Sequence, residues 1–294
     1  MNRAERILEK PRPLQLASVL TLGICAVSCG SLFVRLAAAP ALAIAAYRCT
    51  WGALLFTPPA LSGPARELLA LGRREWLRLA LSAGALALHF GLWIASLQYT
   101  SVASSVLLVD TTPFFLGLAS RPLLGTRLRP AFWAGLGLAF AGCVVVFHGD
   151  LALGPGTLRG NLLSLGGALA MAAYLLAGSA ARQKLSLVAY VWPVYALAGA
   201  ALAAASLAGG VPLRGFSGRT HLFMFLLGAV PQCIGHTTFN WALRWLDPAR
   251  VALVTLAEPV GASLLAYLVL GESLSVEKLI GGAIILVGIY VAAR

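Results

Sequence analysis

Charged residues are scarce in this chain of 294 residues. Asp, Glu, Lys and Arg together make up 11% of it, whereas a soluble domain averages about 25%. Hydrophobic residues make up 60%, and the mean hydropathy is +0.86. Too little polar side chain is left to cover a surface that faces water. The composition argues against a soluble enzyme, a disordered chain and a disulfide scaffold, and it indicates a chain that lies mostly in lipid.

The sequence also lacks the short motifs that carry most enzymatic and metal chemistry. Its five cysteines include no C-x-x-C pair and no metal-ligand spacing with histidine. Cys25 and Cys29 are four residues apart, which suits helix packing rather than a disulfide. HExxH, GxSxG and the P-loop are absent from the sequence. We therefore expect no cofactor, no metal, no direct use of ATP and no enzymatic activity.

Long apolar runs fill the remaining sequence. A helix that crosses a bilayer core of about 30 Å needs roughly 17–25 residues, and the runs lack the alternation of barrel strands. The first run lacks a convincing signal-peptide cleavage site, so we expect it to be retained as a helix. We predict an all-α integral membrane protein with ten spanning helices at approximately 14–35, 40–60, 76–98, 101–121, 130–148, 159–180, 186–208, 220–245, 248–270 and 276–293.

Basic residues outnumber acidic ones by 22 to 10, and they lie in short gaps between the apolar runs. This distribution is typical of membrane orientation rather than of nucleic-acid binding. Sixteen of the 22 fall on the side of the N terminus, five on the other side, and Arg48 alone within a span. The bias predicts that both termini are cytoplasmic, which requires an even number of spans. We expect a multi-pass protein of the plasma membrane, the inner membrane of a bacterium.

The two halves of the chain resemble each other at an offset of 146 residues. Ser101 then aligns with Asp247, and both residues suit a helix N-cap. The identical pairs include Pro113 with Pro259, Gly125 with Gly271, Leu128 with Leu274, Gly135 with Gly281, Gly142 with Gly288, Ala103 with Ala249, Leu107 with Leu253, and Leu118 with Leu264. Each glycine pair seven residues apart within one helix predicts a flat stripe for close helix packing.

This duplication predicts the domain organisation. We expect a cytoplasmic tail over 1–13, a first five-helix repeat over 14–148, a connecting loop over 149–158 and a second repeat over 159–294. Because five is odd, the second half enters the membrane from the opposite side. Inverted repeats of secondary transporters enclose a central cavity that opens alternately to each side. Duplication can also merely build a stable bundle, and inverted repeats occur in channels as well.

The repeated block resembles a known family. Residues 99–146 and 245–292 resemble the second half of an EamA-type repeat, on the AEP at 257–259, the GES at 271–273 and the spaced glycines of the last helix. Over nearly its full length the chain is similar to the drug/metabolite transporter superfamily. That resemblance implies ten helices in two inverted halves and movement of small metabolites across the inner membrane. The length and the aromatic-rich spans are most similar to the YddG-type exporters of aromatic amino acids.

Two features depart from the family pattern. Members often have Trp-Gly in the first span, where this chain has Cys29-Gly30. The first repeat also has Thr112 where the second has Glu258.

Three charged residues lie deep in predicted spans, where a charge costs at least about 2.5–3.5 kcal/mol. They are Arg48, Asp110 and Glu258. One interpretation is that Arg48 binds one end of a zwitterionic substrate and that the carboxylates take part in charge or proton coupling. The alternative is structural, with Arg48 paired to one carboxylate. Pro113 and Pro259, at equivalent positions, are predicted to kink their spans and act as hinges.

Polar and aromatic residues share one face in two equivalent spans. In the third span, His89 and Trp93 are four residues apart, as are His236 and Asn240 in the eighth. We predict a cavity with a few polar anchors and apolar walls, although each histidine taken alone could instead bond to neighbouring backbone. The predicted substrate-binding residues are Arg48, His89, Trp93, Tyr99, Tyr174, Gln232, His236, Phe239 and Asn240.

The sequence thus favours a secondary transporter, working by alternating access, that exports small amphipathic metabolites, most of all aromatic or apolar amino acids. A multidrug, quaternary-amine or nucleotide-sugar carrier is the alternative within the same class. A channel and an intramembrane enzyme are the alternatives from other classes. The expected partners are the lipid bilayer, a small-molecule substrate and, in the coupled case, protons. We expect no nucleic-acid partner and a monomer or homodimer.

Overall fold

The computed structural model describes residues 11–148, 157–270 and 275–294, and all secondary structure within these ranges is helical. Several predictions fall outside the described residues. They concern residues 1–10 of the tail, residues 149–156 of the connecting loop, and the GES segment with the two repeat pairs that fall within 271–274.

The first half contains seven α-helices within the described ranges, together with a 3₁₀ helix at Pro64–Ala70. Prolines begin several of these helices because the first turn needs no N–H from its first residue. The helices are α1 Pro13–Val27, α2 Gly30–Ala37, α3 Ala41–Leu61, α4 Arg73–Ser96, α5 Val102–Val109, α6 Thr112–Leu124 and α7 Pro130–Phe147.

The second half has a similar series, with a π-helix at Gly228–His236 between two α-helices. A π-helix has a wider turn than an α-helix and is rare. The α-helices that the structure describes in this half are α8 Leu158–Arg182, α9 Leu187–Ala208, α10 Gly218–Leu227, α11 Thr237–Ala242, α12 Pro248–Thr255, α13 Glu258–Leu270 and α14 Val276–Ala293.

Seven described helical segments are long and apolar enough to cross a membrane, which makes the chain a multi-pass membrane protein. They are Pro13–Ala37, Arg73–Ser96, Val102–Leu124, Leu158–Arg182, Leu187–Ala208, Gly218–Ala242 and Pro248–Leu265. The other three predicted spans are helical in the structure, as α3, α7 and α14, but within the described residues none of them combines the required length with the required hydropathy. The count of ten spans therefore remains a prediction.

The duplication is visible in the helix boundaries. Helices α5, α6 and α7 begin and end 146 residues before α12, α13 and α14. The predicted N-caps also correspond. Ser101 Oγ accepts a hydrogen bond from the Ser104 N–H at 3.0 Å, and Asp247 Oδ1 accepts one from the Ala249 N–H at 2.9 Å. The same local signals thus shape both halves.

The glycine stripes bring the equivalent helices α7 and α14 into close contact. A Cβ added to Gly135 would lie 2.4 Å from the Ala292 nitrogen, and one added to Gly142 would lie 2.8 Å from the Gly281 oxygen. This confirms the predicted role of the glycines. Residue numbers rise along α7 as they fall along α14, so the two helices are antiparallel.

Helices α3 and α9, which are also equivalent, pack in the same manner. Trp192 Nε1 donates to Thr57 Oγ1 at 3.1 Å, and a Cβ added to Gly199 would lie 2.8 Å from Thr50 Oγ1. Residue numbers again fall along α3 as they rise along α9, so these two helices are also antiparallel. In both pairs, a helix of one half therefore runs opposite to its counterpart in the other half.

Two spans that the sequence predicted as continuous are each divided into two helices. The fourth is interrupted at Asp110–Thr111 between α5 and α6, and the ninth at Leu256–Ala257 between α12 and α13. The interruptions are equivalent at the offset of 146. Pro113 and Pro259 each stand second in the helix that follows, where proline is well tolerated. The prolines therefore follow a break rather than kink an unbroken helix.

Candidate functional site

Helices of both halves enclose a cavity with an empty volume of about 560 Å³, which includes the part open to solvent. Its apolar lining includes Val27, Met171 and Leu175. Seven of the residues predicted from the sequence also line it, and these are Arg48, His89, Trp93, Asp110, His236, Phe239 and Glu258. The lining combines apolar walls with a few polar and charged groups, which is the composition typical of small-molecule sites.

Arg48 is a buried cation on one wall of this cavity, with 2% of its surface exposed. Its Nε donates to Gln232 Oε1 at 3.0 Å, and its Cζ lies 3.9 Å from the centroid of the Phe90 ring. Within the described residues, no carboxylate lies within 4 Å of the guanidinium. The ion pair that the structural interpretation required is therefore absent from this part of the chain. Arg48 can offer its two terminal nitrogens to an anionic group.

The two deep carboxylates reach the same cavity from the two helix breaks. Asp110 follows α5 and is 3% exposed, and its Oδ2 has no hydrogen-bond partner among the described residues. Glu258 begins α13, and its main-chain carbonyl accepts a hydrogen bond from Ser28 Oγ at 3.2 Å. A carboxylate that faces a buried cavity without a partner is costly, and a cationic group in the cavity would offset that cost.

The two histidines lie on facing parts of the cavity wall, with ring centroids 6.1 Å apart. His89 Nδ1 lies 2.9 Å from the Gly167 carbonyl oxygen. A carbonyl only accepts, so Nδ1 is assigned the proton, and Nε2 of the neutral ring is left as an acceptor. His236 Nδ1 has no partner among the described residues.

Aromatic rings form much of the remaining wall. The Trp93 ring is parallel to that of His89, with an interplanar angle of 2° and centroids 6.3 Å apart. Phe90 lies 5.0 Å from the His236 ring, and Phe239 lies 6.1 Å from it. Trp93 Nε1 is a buried donor without a partner in the described chain. The site thus combines flat apolar surfaces with unpaired donors and acceptors.

Three predicted binding residues lie behind the wall rather than in it. Gln232 contacts Arg48, and Asn240 Nδ2 donates to the Tyr174 hydroxyl at 2.6 Å and to the His236 carbonyl at 2.8 Å. Gln232, Asn240 and Tyr174 are fully or nearly fully buried. They contact or support residues of the cavity wall without lining it in this structure.

Tyr99 lies outside the cavity. It is 38% exposed, and the Cζ of Arg159 stacks 4.3 Å from its ring centroid. The sequence analysis counted Tyr99 among the binding residues, but α4 ends at Ser96, and the chain has already turned at Tyr99. We therefore leave Tyr99 out of the candidate site.

Phe90 is a site residue that the sequence reasoning missed. It stacks against Arg48 and lines the cavity between the two predicted residues His89 and Trp93. At the offset of 146, Phe90 is the counterpart of His236. Alignment of the two halves would therefore have indicated Phe90, because its counterpart His236 was already a predicted site residue.

Equivalent positions of the two halves lie at opposite ends of the bundle, and the packing at these two ends differs. At one end, Tyr190 and Ser82 share a hydrogen bond of 2.6 Å, and Lys184 forms an ion pair with Glu75 at 2.8 Å. At the other end, Ile44 and Ile94 line a second pocket, whose empty volume of about 890 Å³ includes open solvent. Ile44 is the counterpart of Tyr190, and Ile94 is the counterpart of Asn240. The pocket beside Lys184 and Glu75 is smaller, with an empty volume of about 250 Å³. We call the end with the Tyr190–Ser82 bond the packed end, and the other end is more open.

Comparison with known sequences places both halves of the chain in one family. The family model described as the EamA-like transporter family matches residues 13–148 and residues 158–294. The two matched segments correspond to the two halves that the offset of 146 relates.

Several proteins and a solved structure are similar to the chain. An uncharacterized transporter of Archaeoglobus fulgidus is 27% identical over 269 residues, which is 90% of this chain and 91% of that protein. The uncharacterized transporter YwfM of Bacillus subtilis is 25% identical over 74% of this chain and 73% of its own. A riboflavin transporter of Rhizobium johnstonii is 36% identical over 62 residues, or 21% of this chain and 20% of that protein.

One solved structure has the same fold. It superposes with a TM-score of 0.79 at 23% sequence identity, over 94% of this chain and 96% of its own.

Proposed function

The chain belongs to the EamA-like transporter family, and on that premise we propose that it exports amino acids with aromatic or apolar side chains by alternating access. The family and the named relatives are transporters, so the chain is a membrane transport protein rather than an enzyme. The observation that carries the proposed cargo is the Arg48 guanidinium, which faces the cavity with no carboxylate within 4 Å among the described residues.

The cavity offers complementary groups to each part of an amino acid. The carboxylate of the cargo binds Arg48, and its ammonium binds Asp110 and Glu258, which line the same space. The side chain of the cargo packs against Trp93 and Phe239. Among the described residues, the guanidinium has no carboxylate within 4 Å, and Asp110 Oδ2 has no hydrogen-bond partner. This favours a zwitterion, because one ligand then satisfies both charges.

The arrangement of the halves supports the proposed mechanism. Equivalent helices run antiparallel, as expected if the repeats are inserted in opposite orientations. The end that is packed around Tyr190 is on the predicted cytoplasmic side, so the described conformation corresponds to an outward-open state. Rocking of one half against the other would then close the pocket at Ile44 and open the packed end. The breaks before Pro113 and Pro259 are the proposed hinges.

The distribution of basic residues supports a proposed membrane location and orientation. We place the chain in the bacterial inner membrane with both termini cytoplasmic, as a monomer or homodimer. Asp110 and Glu258 are the groups that would couple export to protons. A nucleotide-sugar carrier is disfavoured because Arg48 is the one Lys or Arg among the described residues that line the cavity. A quaternary amine would leave Arg48 without a partner.

A second candidate cargo is a flat heteroaromatic compound of the flavin type. The parallel rings of His89 and Trp93 would suit such a cargo. A short stretch of the chain is similar to a riboflavin transporter. This cargo would use the aromatic walls but would leave the guanidinium without an anion.

Radiolabelled uptake into proteoliposomes tests these assignments. The panel contains tryptophan, phenylalanine, leucine, riboflavin and a quaternary amine, and each is also supplied as an unlabelled competitor. The proposal expects uptake of the amino acids and competition among them. Uptake of riboflavin or the amine, without competition by tryptophan, would contradict it.

A further inference from the structure

Gln232 connects the second half of the protein to the buried cation of the first. Its Oε1 accepts the hydrogen bond from Arg48 Nε at 3.0 Å, and its side chain is fully buried. In the described structure Gln232 does not line the cavity, whereas Arg48 does. Any effect of Gln232 on a bound molecule therefore passes through Arg48.

The backbone around Gln232 is fixed by contacts on two sides. Its carbonyl, within the π-helix Gly228–His236, accepts from Thr237 Oγ1 at 3.1 Å and from the Tyr195 hydroxyl at 3.5 Å. On the side of its side chain, a Cβ added to Gly52 would lie 2.8 Å from the Gln232 Cγ. The amide is therefore held in one place against the guanidinium.

The amide of Gln232 destabilises the folded protein, and packing does not require an amide at this position. Nε2 of Gln232 has no acceptor among the described residues, and a buried donor without a partner is destabilising. The repeat shows that the fold accepts apolar residues here. At the offset of 146, Gln232 corresponds to Leu86 and Arg48 to Val194, and both of these are fully buried.

We infer that Gln232 is a positioning residue that selects for cargo with a carboxylate. By accepting the Nε proton it fixes the plane of the Arg48 guanidinium, while Phe90 supports one face of that plane at 3.9 Å. With Nε engaged, the two terminal nitrogens remain as a parallel pair of donors. A planar fork of this kind matches both oxygens of a carboxylate. The inference rests on the proposed function, because it requires a cargo with a carboxylate.

The first test compares tryptophan with tryptophanamide, which lacks the carboxylate, as competitors of labelled tryptophan uptake. We expect the wild type to prefer tryptophan by about 10- to 100-fold, as for a hydrogen bond to a charged group. Gln232→Leu should reduce this preference to about threefold or less, because the guanidinium is no longer oriented. The matched control Gln183→Leu removes an amide near the packed end, where it bonds to the Leu243 and Arg244 carbonyls, and should keep the preference.

A double substitution tests whether Gln232 affects cargo preference through Arg48. Lysine has no Nε donor in the fork geometry, so in an Arg48→Lys background Gln232→Leu should cause no further change in preference. An undiminished preference in Gln232→Leu would overturn the inference. An equal loss for tryptophan and tryptophanamide would overturn it as well, because it would show a purely structural role. Gln232→Met, which keeps the side-chain length, replaces Gln232→Leu if the latter does not fold.

A second readout does not depend on transport. Phenylglyoxal modifies arginine, and mass spectrometry of the peptide containing Arg48 gives its rate in the protein without cargo. We expect Gln232→Leu to change that rate by threefold or more relative to Arg35, with no change in Gln183→Leu. If the wild type carries no amino acid, the proposed function fails while this readout still decides the inference. Equal rates in wild type and Gln232→Leu would overturn the inference.

Discussion

Gly142 and Gly281 face each other so closely that a Cβ added to either would lie 2.8 Å from the carbonyl oxygen of the other. The contact joins α7 of the first half to α14 of the second, and Gly135 with Gly288 forms the equivalent contact at the offset of 146. Antiparallel packing of two equivalent helices is what two oppositely inserted halves would produce.

Enlarging this contact should separate the two helices. We expect Gly142→Val to lower the melting temperature of the detergent-solubilised protein by at least several degrees, because overpacking costs about 1–3 kcal/mol or more. Gly137→Ala is the control, because a Cβ there would meet no atom within 4 Å. Equal melting temperatures for the two variants, measured by intrinsic fluorescence, would show that the contact is not tight.

Truncation of the cavity wall should weaken transport selectively. We expect His89→Ala and Trp93→Ala each to reduce tryptophan uptake by about tenfold, since each removes a wall contact or an unpaired polar group. Tyr99→Ala should change uptake by less than about twofold, because its ring faces Arg159 instead of the cavity. Initial rates in proteoliposomes with equal protein content measure this. Unaltered uptake in both wall variants would dismiss the cavity assignment.

Neutralising either carboxylate that lines the cavity should uncouple transport from protons. If export exchanges cargo for protons, a difference of one pH unit supports up to about tenfold accumulation per proton exchanged. Asp110→Asn or Glu258→Gln should remove that response, whereas exchange of cargo should continue at a lower rate, because the other carboxylate still binds the cargo ammonium. Accumulation is measured with and without an imposed pH gradient. A wild-type rate that ignores the gradient would rule out proton coupling.

Weakening the packed end should shift the balance of conformations. Tyr190→Ile gives that end the residue found at the equivalent position, Ile44, and removes the bond to Ser82. We expect faster hydrogen–deuterium exchange in 182–190 and slower exchange in 35–44, because the loss favours the state closed at the opposite end. Ser206→Ala, which removes a local bond to the Leu202 carbonyl within α9, should leave both segments unchanged. A change confined to 182–190 would indicate local loosening without rocking.

Much of this fold could be predicted from the sequence because its signals are local. Apolar length, N-caps such as Ser101 and Asp247, and the glycine stripes each act within a few turns of helix. Because of the repeat, each of these signals occurs in both halves of the sequence. Residues that share a helix face, such as His89 and Trp93, could be assigned to one wall because helical periodicity fixes their direction.

The remainder depends on contacts between helices distant in sequence. Neither the π-helix at Gly228–His236 nor the break at Asp110–Thr111 has a periodic signal, since both are stabilised by neighbouring helices. The same holds for the bond from Arg48 to Gln232, which crosses between the halves over 184 residues. Tyr99 lies outside the cavity, because α4 ends at Ser96, before the predicted end of the third span at residue 98.

The central claim is that the Arg48 guanidinium, free of an ion pair within the described residues, holds the carboxylate of the cargo between the two halves. Equilibrium binding of labelled tryptophan to purified wild type and Arg48→Met tests it most directly, because methionine keeps an apolar side chain against Phe90 and removes the charge. Binding should weaken by about tenfold or more, as for the loss of a charge-assisted hydrogen bond. Equal affinity in the two proteins would contradict the claim.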